Sequence, residues 1–85
     1  PHLGWNTIDI LKKDFLLNDI PNNSEFYFLH SYYFENKDSE NTLCNTKYKH
    51  KFPSIIKKNN IYGIQFHPEK SHKFGEKILI NFHNI

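Results

Sequence analysis

The sequence predicts an α/β layered fold that these 85 residues do not complete on their own. Two segments, 25–34 (EFYFLHSYYF) and 61–67 (IYGIQFH), read as short strands bounded by turn formers. A third, 72–83, carries apolar residues at helical spacing. One helix covers one face of a sheet, so the other layer is expected from residues outside this chain. Size points the same way, since a chain this short buries only about 60–65% of its unfolded surface.

Pro1 opens directly onto a dense motif, whereas domain termini are usually loose and polar. The expectation is the downstream portion of a longer chain, with residues 1–85 belonging to a single domain. Residues 1–10 read as turn-rich and then briefly apolar, with Gly4 allowing a tight turn beside Trp5. Leu11, Phe15, Leu16 and Leu17 suggest a short helical turn within 11–18, and Asp19 to Asn23 a loop. In 25–34 both faces are largely apolar, the mark of a central strand covered on both sides. Residues 35–41 form a polar loop, and 42–50 alternate loosely, as a weaker and more exposed strand would.

Lys57 to Asn60 read as a turn before the strand 61–67, which Pro68 stops because it cannot donate to a ladder. Ser71 is placed as the N-cap of the last helix. There Phe74, Ile78, Leu79 and Phe82 make one apolar stripe, with Lys73 and Lys77 off it.

Composition excludes several classes. All eleven basic residues are Lys, and the net charge is only +2 with acids and bases interleaved, so a phosphate-binding field for nucleic acid is not indicated. No apolar run approaches the ~18–20 residues that span a bilayer. One Cys makes neither an internal disulfide nor a Cys-only zinc site, which fits a reduced, cytoplasmic setting. The six His lack ligand spacing, so neither a metal nor another cofactor is expected.

The chemistry concentrates in Tyr62–Ser71 (YGIQFHPEKS). His67 and Glu69 lie two apart at a strand end, so extended geometry sends both side chains to one face. A carboxylate beside an imidazole fixes its tautomer and stabilises the imidazolium formed when the ring takes a proton. The same spacing also fits a surface histidine beside a helix-start glutamate. Cys44 lies in TLCNT, without the flanking glycines of a strand-to-helix elbow, and reads as a structural strand residue.

The string GIQFHPEKS resembles the His/Glu motif of class I glutamine amidotransferases. PHLGWN at residues 1–6 and FYFLHSYY at 26–33 resemble elements of that family's glutaminase subunits of imidazole glycerol phosphate synthases, in matching order and rough spacing. The resemblance implies an open, mostly parallel sheet flanked by helices. It implies a cysteine-dependent glutaminase, with His67 as base and acid and Glu69 orienting it. The nucleophile would lie in an upstream Gly-x-Cys-x-Gly elbow that this chain lacks.

By the same resemblance, Ser31 and Tyr32 belong to the glutamine pocket through main-chain groups, while the neighbouring aromatic rings are core packing. His30 is structural rather than catalytic. Gly4, Trp5 and Asn6 face an ammonia-accepting synthase partner, or Trp5 simply anchors a turn. Lys70 makes an inter-subunit ion pair or is solvated. The implied partner is a (β/α)₈-barrel cyclase of histidine biosynthesis. A surface-sugar amidotransferase is the alternative, and a non-catalytic fragment a third.

Overall fold

The computed structural model describes residues 2–30 and 39–85. The elements are β1 (His2–Thr7), β2 (Asp9–Ile10), a 3-10 turn (Phe15–Leu17), β3 (Glu25–His30), a 3-10 turn (Ser39–Asn41), β4 (Thr42–Tyr48), β5 (His50–Lys58), β6 (Ile61–Ile64), a 3-10 turn (Pro68–Lys70) and α1 (His72–His83). β1 pairs with β3, and a four-stranded sheet runs β2-β4-β5-β6. Every ladder among the described residues is antiparallel, so the mostly parallel sheet implied by the resemblance is not formed within them.

Residues 1–10 depart from the turn-rich expectation. His2–Thr7 is a full strand, and Gly4 is a strand residue at φ +126, a conformation that side chains rarely adopt. β1 is also tied to β4 by side chains: Thr46 Oγ1 donates to Thr7 O at 2.9 Å, and Asn6 Nδ2 to Lys47 O at 2.9 Å. β5 was not among the expected strands, and it holds Pro53, a residue that an inner strand disfavours. The ladder accommodates it at an irregularity, with the β4 register shifting between Cys44 and Asn45 and Asn45 facing Pro53. β5 then runs through Lys58, which shortens the expected 57–60 turn to Asn59 and Asn60, Asn59 taking φ 57.

β4 is not the exposed strand expected. Thr42, Leu43, Cys44 and Thr46 are buried, β4 being an inner strand between β2 and β5 with both faces covered along Thr42–Cys44. β3, conversely, is covered on one face: Phe26 and Phe28 are fully buried while Leu29 is 45% exposed. Residues 31–38 of the expected 25–34 strand and 35–41 loop lie outside the described residues.

The core joins both sheets through aromatic rings. Phe66 stacks on Phe26 at 4.2 Å and meets Phe28 edge-on at 5.7 Å, and Phe28 meets Phe52 at 5.9 Å. Burying each ring contributes about 1.5–3 kcal/mol. Phe66 precedes His67, so the same burial anchors the segment that carries the candidate site.

α1 occupies residues 72–83 as expected, but its inward face differs. Ser71, Gly75, Ile78 and Asn81 are buried, whereas Leu79 and Phe82 are 47% and 56% exposed. Asn81 Nδ2 donates to both Leu16 O and Asn18 O at 2.9 Å, fastening the helix to the Phe15–Leu17 turn. Small and polar residues lie inward because α1 packs against main chain there.

That turn, expected within 11–18, is held in place by Asp14. Its carboxylate accepts from Leu16 N (3.0 Å), Lys57 Nζ (2.8 Å) and the Tyr62 hydroxyl (2.6 Å). Burial alone would raise the Asp14 pKa, but the bonds from Lys57, Tyr62 and Leu16 outweigh it and hold the carboxyl below its ordinary value. A depressed folded-state pKa contributes stability above the unfolded value of 3.8, lost as pH falls through the folded one. Asp14→Asn is therefore expected to lose about 1–2 kcal/mol at neutral pH and to match wild type more closely in strong acid. Urea unfolding at pH 7 and pH 3 checks this; an equal loss at both would show that the carboxylate charge is not the cause.

Candidate active site

The expected strand 61–67 ends at Ile64, and the chain bends through Gln65 and Phe66 before His67. His67 stands at the N-cap of the Pro68–Lys70 turn, with Pro68 at its first position, where a missing N–H costs nothing. The backbone is fixed from both sides: His67 N donates to Tyr27 O at 2.9 Å, and His67 O accepts from Lys70 N at 3.1 Å.

Glu69 meets His67 by a different route from the extended spacing expected. The 3-10 turn folds the carboxylate back, so that Nδ1 of His67 lies 3.2 Å from Glu69 Oε2. Nε2 lies 3.3 Å from the Leu29 carbonyl at the end of β3. The His67 bond is the main cause of the Glu69 pKa lying below the ordinary carboxylate value, so the carboxylate is ionised at neutral pH. Both side chains are partly exposed, 35% for His67 and 59% for Glu69, so the pair reaches solvent while Phe66 stays in the core.

Trp5 lies opposite Tyr27 in the β1–β3 register and meets it edge-on at 5.7 Å. Its ring stacks on His72 at 5.1 Å, with planes 11° apart, just past the His67–Ser71 segment. Trp5 is 44% exposed, and Lys70 is exposed on the same segment as Glu69. Asn6 is engaged within the chain, its Oδ1 accepting from Thr7 N at 2.8 Å as well as Nδ2 reaching Lys47. Ser31 and Tyr32 lie outside the described residues.

Ser71 follows the turn, but its side chain does not cap α1. Its hydroxyl donates to His67 O at 2.6 Å and accepts from Tyr27 N at 2.9 Å. Gly75 is a residue that sequence reasoning passed over. A Cβ there would lie 2.0 Å from Pro68 O and 2.7 Å from Ser71 Cβ, so only glycine lets α1 sit against the site turn. Its signal was present, since a glycine inside a helical pattern weakens the helix and usually has a packing reason.

Cys44 is fully buried in β4, opposite Ile10 and near Ile55 in the ladders. Burial first, and the charge of Asp9 second, push its thiol up to about 12. A nucleophilic cysteine needs a lowered pKa and access, and Cys44 has neither. On the glutaminase expectation of the sequence resemblance, Cys44→Ser is expected to leave turnover of the complete protein within a few fold. The native wild type should resist thiol reagents at Cys44 near pH 8. Loss of labelling by a reactive glutamine analogue in the variant would make Cys44 the nucleophile after all.

No group of three His, Cys, Asp or Glu suited to a metal occurs among the described residues. Nor is any described helix long and apolar enough to cross a membrane.

The structure thus brings an imidazole and a carboxylate together at the solvent surface just before a helix, where the carboxylate can fix the ring's tautomer and stabilise its protonated form. The chain belongs to the glutamine amidotransferase class-I family, whose model matches residues 1–85. Among curated relatives, it is 51% identical over 82 residues to the imidazole glycerol phosphate synthase subunit HisH 2 of Methanococcus maripaludis, covering 96% of this chain and 41% of the relative. The HisH subunit of Methanocaldococcus jannaschii is 50% identical over 82 residues, with the same coverage. That of Blochmanniella floridana is 51% identical over 85 residues, covering 100% of this chain and 42% of the relative. The chain thus spans about two fifths of the length of the curated relatives it matches.

Proposed function

We propose that residues 1–85 form the C-terminal portion of a glutaminase domain that supplies ammonia to a synthase partner. The observation that carries this reading is the His67–Glu69 pair, 3.2 Å apart at the solvent surface in a chain of this family. The nucleophilic cysteine comes from residues outside this chain, because Cys44 is buried with its thiol raised.

In the proposed reaction His67 Nε2 leaves the Leu29 carbonyl and takes the proton of that cysteine. The thiolate adds to the carboxamide carbon of L-glutamine. His67 then returns the proton to the departing nitrogen, releasing ammonia and leaving a glutamyl thioester. Water, activated by the same imidazole, hydrolyses the thioester to glutamate and restores the thiol. Glu69 holds Nδ1–H throughout and stabilises the transient imidazolium.

Ser31 and Tyr32 supply main-chain groups to the glutamine pocket. Gly4, Trp5, Asn6 and Lys70 face the partner, a reading supported by the half-exposed Trp5 and exposed Lys70 flanking the His67 turn. The open, mostly parallel sheet belongs to the complete domain, with the exposed Leu79 and Phe82 of α1 packed against its remainder. The shared name of the relatives favours imidazole glycerol phosphate synthesis over surface-sugar amidotransfer; the barrel-shaped cyclase partner is what the sequence resemblance implies, and the cytoplasmic setting is what the single Cys fits. The test is glutamate release from glutamine by the complete protein with its partner and the partner's substrate. No release above the buffer blank would refute the reading. These 85 residues alone are expected to give none.

A further inference from the structure

We propose that Ser71 is a positioning residue for glutamine hydrolysis: its hydroxyl fixes the base His67 against β3. The inference rests on the glutaminase reading above and concerns a residue outside the His67–Glu69 pair. Ser71 is only 2% exposed, and its hydroxyl bridges two main chains. It accepts from Tyr27 N at 2.9 Å and donates to His67 O at 2.6 Å. Tyr27 O in turn accepts from His67 N at 2.9 Å. Both main-chain polar groups of Tyr27 are therefore engaged by the 67–71 segment, and three hydrogen bonds close a ring between β3 and His67.

Without the hydroxyl, a single main-chain bond holds His67 to this point of β3. The ring also sets the distance between the base and β3 at Tyr27. Helix capping would be a local role for Ser71. A bridge between residues 27 and 67 is a long-range one, and the hydroxyl takes it in place of the cap. Displacing a catalytic group by about 1 Å costs on the order of 100-fold in rate.

The test uses the complete protein with its partner, with active sites counted by covalent labelling with a reactive glutamine analogue. Ser71→Ala is expected to lower glutamine turnover per labelled site by about 10–100-fold, with KM for glutamine near wild type. Ser71→Thr, which restores a hydroxyl, should recover most of the loss. A merely structural serine would change the number of sites and not the rate of each. An unchanged rate per site, a Ser71→Ala protein with no labelled site, or a Ser71→Thr protein no better than Ser71→Ala would each overturn the proposal. His67→Ala, run alongside, separates the two levels. If it turns over glutamine like wild type, the base assignment falls; if it is inactive while Ser71→Ala is unimpaired, only the positioning role falls.

Discussion

His67→Ala in the complete protein is expected to abolish glutamine-dependent synthesis, by about 10⁴-fold or more, while synthesis from ammonium salt at high pH survives. In the proposed reaction His67 takes the thiol proton and returns it to the departing ammonia, and both transfers are lost with the imidazole. Added ammonia enters after that step and bypasses the loss. Glu69→Gln should be milder. A neutral amide still accepts from Nδ1–H at the 3.2 Å separation but stabilises the imidazolium less. Product formation with glutamine and with ammonia, measured side by side on folded, partner-bound protein, checks both variants. Equal loss of both activities in His67→Ala would show that the residue is not specific to glutamine hydrolysis. Loss of neither would remove the triad assignment.

Gly75→Ala is the second large effect. Alanine normally favours a helix over glycine by about 1 kcal/mol. Here the new methyl would sit 2.0 Å from Pro68 O, 2.9 Å from Pro68 C and 2.7 Å from Ser71 Cβ. Main-chain atoms cannot swing aside as a long side chain would, so α1 has to lift from the site turn. Lifting it strains the burial of Ile78 and the two bonds from Asn81. The net expectation is a loss of about 2 kcal/mol despite the better propensity. Glutamine turnover should fall about 100-fold, because the turn that orients His67 and Glu69 moves with the helix. Thermal melts and glutamine turnover measure the two parts. A variant as stable and active as wild type would contradict the close approach of α1 to the turn.

Legibility followed the kind of interaction each element depends on. α1 was readable at residues 72–83 because Pro68 and the helical spacing of Phe74 and Ile78 are local signals. β3 from Glu25 was readable from its aromatic residues, and the turn at 15–17 from its leucines. β5 was not: residues 51–56 carry no clear alternation and include Pro53, whose place in the ladder depends on the β4 irregularity opposite. β1 was hidden by Gly4, which reads as a turn former but here extends a strand. The helix face was misjudged because burial was assigned to the largest apolar residues. In the fold Gly75 and Asn81 turn inward, since what they meet is main chain.

The site shows the same division. The pairing of His67 with Glu69 was legible in the string, although the contact arises from a 3-10 turn and not from strand alternation. The bridge through Ser71 was not, because its partner Tyr27 lies 44 residues away in the chain. Cys44 was set apart from the chemistry on its missing elbow, and its burial in β4 supports that reading.

The central claim is that this chain carries the base and its orienting acid, while the nucleophile lies outside it. Mapping the cysteine modified by a reactive glutamine analogue, by peptide mass analysis of the complete, partner-bound protein, tests it most directly. The account predicts one stoichiometric label on a cysteine outside residues 1–85, with Cys44 unmodified. A label on Cys44, or no cysteine labelled at all in protein that hydrolyses glutamine, would contradict it.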